Sequence, residues 1–153
     1  MLDVKVEVKG LRELQRKNEQ VVRDLRGDVM LRAMRDATLL VTRGAKQNAP
    51  VDTGRLRASI TPEVRGEGED MIGVVGSNVV YAPYVELGTR PHFPPLAALE
   101  VWARRHGTSA FLVARAISQR GTTPRLFLQN AYNDSKPRII ALFDRALKNI
   151  VSK

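Results

Sequence analysis

Asn48-Ala49-Pro50-Val51-Asp52-Thr53-Gly54-Arg55-Leu56-Arg57-Ala58-Ser59-Ile60 decides the fold, because it turns a helix into a sheet. Pro50 has no amide donor and biases the residue before it away from helical angles, so a helix arriving from the N-terminal side should stop near Asn48. Asp52 and Thr53 can bond their own backbone in a turn, and Gly54 can take a positive φ. Pro50, Asp52, Thr53 and Gly54 therefore form a structural corner. Beyond it, Leu56, Ala58 and Ile60 alternate with Arg57, Ser59 and Thr61, which predicts a strand in which Pro62 marks an edge position or a bulge. Gly66-Glu67-Gly68-Glu69-Asp70 then predicts a turn, and Met71-Ile72-Gly73-Val74-Val75-Gly76 the returning strand of a hairpin.

Upstream of the corner, Leu2, Val4, Val6 and Val8 alternate with Asp3, Lys5, Glu7 and Lys9, the period of a half-buried strand that Gly10 ends. From Leu11 the period turns helical through Leu14, Val21 or Val22, and Leu25. Gly27 predicts a break, and Asp28 can cap a second run in which Ala33, Ala37, Leu40, Val41 and Ala45 share a face. That run, Asp28 to Gln47, would be roughly 30 Å long and could cross one face of a small sheet.

Downstream, Tyr81 and Tyr84 stand three apart around Pro83, so a short helical turn would put both rings on one side. There they either cover the sheet edge or meet another subunit, where Tyr is favoured. Gly88-Thr89-Arg90-Pro91 reads as an exposed loop carrying a cation. Pro94-Pro95 opens a helical hairpin spanning residues 94–121. In it Leu96, Leu99, Trp102 and Ala103 share a face ending at Gly107, and Ser109 caps a second helix with Phe111, Val113, Ala114 and Ile117, closed by Gly121. Beyond Thr122-Thr123-Pro124, Leu126, Phe127 and Ala131 lead to Asp134 or Ser135 as a cap and Pro137 in the first turn of a renewed helix. Ile139, Ile140, Leu142, Phe143, Ala146, Leu147 and Ile150 make its apolar stripe, which should lie beside the Asp28 to Gln47 helix.

A chain of 153 residues, 43% hydrophobic and 27% charged, suits one compact domain, residues 1–153, with the 94–121 hairpin inserted in it. The absence of cysteine excludes disulfides, a thiol nucleophile and thiolate metal sites. No apolar run of signal-peptide length follows Met1, and no segment approaches the ~18 apolar residues of a membrane span, so a soluble protein without a membrane partner is expected. With 25 Lys and Arg against 16 Asp and Glu, the formal net charge is +9, which attracts polyanions at long range without specifying one.

Three motifs in fixed order resemble the tail-completion, or head-to-tail joining, family of long-tailed bacteriophages: Ala49-Pro50-Val51-Asp52-Thr53-Gly54-Arg55-Leu56, Tyr81-Ala82-Pro83-Tyr84-Val85-Glu86-Leu87-Gly88-Thr89-Arg90-Pro91, and Pro124-Arg125-Leu126-Phe127-Leu128. The third departs at Leu126, where the family pattern has proline. The fold class expected is α+β, a small, mainly antiparallel sheet packed on two long helices. The resemblance implies a structural virion protein of the head-tail interface, a tail-completion, terminator or neck component. It would assemble in the host cytoplasm into a homo-oligomeric, hexameric ring that joins the tail tube to the head connector or stopper protein. Expected subunit contacts are Arg55, Tyr81, Tyr84, Glu86, Thr89 and Arg90, and non-specific DNA contact is left open.

The alternative function is a basic DNA-binding protein using residues 95–120. Ala103, Gly107 and Val113 fall at the small, turn and packing positions of a helix-turn-helix, with Arg104, Arg105, Arg115 and Arg120 nearby. The candidate recognition helix, Ser109 to Gln119, however, offers few polar groups to read bases. For an enzyme the sequence supplies no phosphate loop and no nucleophile elbow. Its two histidines, His92 and His106, are separated by an apolar helix. Asp52 and Glu86 could pair as carboxylates, yet each sits in a turn with Arg55 or Arg90 at hand. The acidic turn at residues 66–70 lacks the ligand spacing of a calcium loop. No catalytic, cofactor or metal residues are expected.

Overall fold

The computed structural model describes residues 11–152 and is an α+β fold in which helices predominate. In chain order the elements are α1 (Leu11–Arg26), α2 (Asp28–Asn48), α3 (Arg55–Ser59), β1 (Ile60–Arg65), β2 (Ile72–Ser77), α4 (Ala82–Leu87), α5 (Leu96–Arg105), α6 (Ala110–Arg120) and α7 (Phe127–Val151). The two strands pair with each other as a hairpin. The strand expected over Leu2 to Lys9 lies outside the described residues.

The described residues fall into two compact units. One comprises residues 11–40, Pro62–Val74 and residues 135–152. Its buried positions include Ala33, Ala37 and Thr38 of α2 and Ser135, Ala146 and Ile150 of α7. The first part of β2 lies directly on α2: a Cβ added at Gly73 would stand 2.5 Å from Thr38 Cγ2 and 2.8 Å from Met34 Sδ, a space only glycine leaves open. At the hairpin end, α1 approaches the 3-10 turn Gly68–Asp70. The Arg65 guanidinium bonds Glu63 at 2.7 Å and draws that carboxyl below its ordinary value, but both side chains are exposed and contribute little to stability.

The other unit comprises Val41–Thr61 and Val75–Asp134. Its core is rich in alanine: Ala45, Ala49, Ala82, Ala103, Ala114 and Ala131 are buried, as are Phe127 and Ile60. Small residues let backbones approach closely, and at Gly44 an added Cβ would meet Ala131 Cβ at 3.2 Å. The end of α2 thus lies against the start of α7 at Ala131, upstream of the stripe that begins at Ile139.

Two expectations are corrected. Residues 55–59 form a helical turn, not the beginning of the strand: Ala58 donates to the Gly54 carbonyl at 2.9 Å, and the Ser59 hydroxyl donates to the Leu56 carbonyl at 2.7 Å. Arg, Leu and Ala are strong helix formers, and Leu56 alone among the five needs burial, so local propensity prevails over a short alternation. The C-terminal helix does not restart at Pro137 but runs through it. Pro137 and Asn133 both face solvent, where water can satisfy the carbonyl that the missing N–H leaves free.

Candidate subunit-contact site

The helix α4 is started by Ala82, whose amide donates to the Val79 carbonyl at 2.9 Å, with Pro83 in the first turn. At about 100° per residue, its positions divide into two faces. Ala82, Val85 and Glu86 turn inward, Ala82 being 5% exposed. Val80, Tyr84 and Leu87 turn outward and are 86%, 60% and 69% exposed, with Tyr81 beside them at 41%. This apolar strip carries no charge, because Glu86 is the only ionisable carboxylate or base of α4 and faces the other way.

What Glu86 faces explains why α4 is held firmly. Its carboxylate accepts the Leu128 amide at 2.9 Å through Oε2 and the Gln129 amide at 3.0 Å through Oε1, both at the first turn of α7. A negative charge there satisfies two of the amides a helix start leaves unpaired and complements the helix dipole. Reciprocally, Arg125 and Leu126 donate their amides to the Val85 and Glu86 carbonyls, each at 3.0 Å, satisfying the end of α4. Thr89 and Thr122 exchange backbone bonds at 3.2 Å in both directions, and their hydroxyls lie 3.1 Å apart. The second and third sequence motifs are therefore one fastened structure. Glu86→Ala should lower unfolding free energy by about 2 kcal/mol, with Glu86→Gln intermediate because it keeps one acceptor. Urea unfolding of the three proteins measures this, and equal midpoints would show that the cap contributes nothing.

The first motif is fastened differently. Asp52 forms an ion pair with Arg105 of α5, and not with the neighbouring Arg55. Thr53 Oγ1 accepts the Arg55 amide at 3.4 Å, Gly54 takes φ 82°, and Pro50 and Arg55 are exposed. The hydroxyls of Ser59 and Ser77 bond at 2.7 Å, and Ser77 Oγ accepts the Val79 amide at 3.2 Å, connecting the corner to the segment that enters α4. Asp52 and Glu86, having separate partners, do not form a carboxylate pair.

A family model described as "Bacteriophage HK97-gp10, putative tail-component" matches residues 12–88. The chain belongs to this HK97-gp10-like family. Comparison with curated proteins and with solved structures returned no match. Membership makes the chain a structural component of a phage tail, located in the virion and acting with other virion proteins. The matched residues include the first motif and the second as far as Gly88, and so all of α4 and its apolar strip.

Of the contact residues expected, Tyr81, Tyr84, Arg55 and Arg90 are exposed, while Glu86 and Thr89 spend their polar atoms inside the unit. Sequence reasoning missed Val80 and Leu87, which extend the tyrosine strip. It also missed the Thr89–Thr122 bridge, although Gly88-Thr89 and Gly121-Thr122 are the same dipeptide twice. His92 Nδ1 donates to the Arg90 carbonyl at 2.9 Å, and His106 stacks on Trp102 with ring centroids 4.1 Å apart. Among the described residues no group of His, Asp and Glu is arranged to hold a metal ion, and no helix is long and apolar enough to cross a membrane.

Proposed function

We propose that this chain is a tail-completion component that acts by assembling with its own copies into a ring, hexameric as the resemblance implies, between the tail tube and the head connector. The observation that carries the reading is the uncharged strip Val80, Tyr81, Tyr84 and Leu87 on a helix fastened at both ends. A protein of net charge +9 repels its own copies wherever their arginines face each other. On this strip two copies can meet without that cost, and its tyrosines combine apolar area with a polar tip, as interface cores do. Arg55 and Arg90 are exposed cations that would serve its rim, while Glu86 and Thr89 hold the strip in position. The role is joining by shape, without a chemical step.

Tyr84→Asp, which places a charge in the strip but in no core, should leave the circular dichroism spectrum unchanged. It should shift the purified protein from ring mass to monomer mass, and cut joined particles at least about ten-fold in a phage complementation assay counted by electron microscopy. Normal joining by the Tyr84→Asp protein would refute the assignment of this surface.

A further inference from the structure

The α5–α6 hairpin carries a second apolar surface of a different kind. On α6 the exposed residues Phe111, Arg115, Leu112 and Gln119 fall within about 100° of one another around the helix axis. Phe111 and Leu112 are each more than half exposed, and Phe93, also more than half exposed, lies against Phe111 with ring centroids 6.5 Å apart. Around the helix axis Arg115 stands between Phe111 and Leu112. Between residues 90 and 125 there are six arginines, Arg90, Arg104, Arg105, Arg115, Arg120 and Arg125, and a single acid, Glu100. Arg105 is engaged by Asp52; among the described residues no ion pair holds the guanidinium of Arg115.

Whatever covers Phe111 and Leu112 also takes Arg115 out of water, and a buried guanidinium needs a carboxylate or equivalent anion. A second copy of this face supplies another Arg115 in place of one. Duplex DNA supplies the anion but no apolar surface for the aromatic pair. We infer that Phe93, Phe111, Leu112 and Arg115 form a docking site for an acidic amphipathic segment of another protein, its apolar side chains on the aromatic pair and a carboxylate on Arg115. This surface is distinct from the α4 strip and does not depend on ring formation.

The test uses the full chain and three fluorescent probes: a synthetic amphipathic helix with leucine and phenylalanine on one face and glutamate on the other, the same helix with lysine for glutamate, and a short DNA duplex. Anisotropy should show binding of the acidic helix in preference to both others. Phe111→Ala should weaken it at least about ten-fold, and Arg115→Glu should weaken it similarly while admitting the lysine helix. Because these side chains are exposed, circular dichroism and solution mass should match the unsubstituted protein, whereas failure of the ring reading would appear in the mass alone. Equal binding of acidic and basic helices, preference for the duplex, or no binding of the acidic helix would each overturn the inference.

Discussion

Gly121→Ala should destabilise this protein severely, and more than alanine at Gly54. Gly121 sits at φ 69° and ψ −156°, a region that is open to essentially glycine alone. A Cβ built there would stand 1.9 Å from the Thr89 carbonyl oxygen, the acceptor of the Thr122 amide. The substitution therefore adds backbone strain of about 1–3 kcal/mol to an overpacking cost of similar size, and together they approach the whole stability of a marginal domain. Gly54 is the control. It also has positive φ, 82°, but an added Cβ meets nothing within 4 Å, so Gly54→Ala should cost only the left-handed penalty of about 1–2 kcal/mol. Thermal and urea unfolding of the two variants separate strain from collision. If both lose the same stability, the close approach of Thr89 to Gly121 is not a feature of the folded protein.

Signals that act within one turn could be read in the sequence: Gly27 between two helices, Pro50 after the end of α2, and Ser109, whose hydroxyl accepts the Phe111 amide at 3.2 Å as the cap of α6. The alternation at Leu56, Ala58 and Ile60 misled because three residues of one period weigh less than the helix propensity of Arg, Leu and Ala between Gly54 and Ile60. Pro137 misled because an exposed carbonyl can be hydrated in place of its lost bond. The candidate site was half legible. Tyr81 and Tyr84 could be placed on one side of a turn from their spacing, but the bonds that hold that turn join residues far apart, Glu86 to Leu128 across 42 positions and Thr89 to Thr122 across 33, as does the Asp52 to Arg105 pair of the first motif across 53. A carboxylate in a turn has several arginines within reach in sequence, and only the fold selects among them.

Leu126 is the position at which sequence pattern and structure oppose each other most directly, and Leu126→Pro decides between them. The resemblance puts proline at this place in the third motif. In the structure Leu126 has φ 49°, the only positive φ outside glycine among the described residues, and its amide donates to the Glu86 carbonyl at 3.0 Å. Proline fixes φ near −65° and has no amide to give, so the substitution must both reverse the turn and abandon that bond. The loss should be about 3 kcal/mol or more, since the same turn presents the Leu128 and Gln129 amides to the Glu86 carboxylate. Leu126→Gly relieves the left-handed strain while losing a half-buried side chain and adding freedom to the unfolded chain, so opposed terms should leave it within about 1 kcal/mol of the parent. A proline variant as stable as the glycine one would mean that the chain enters α7 through an ordinary turn, and the Glu86 cap would then have to be given up with it.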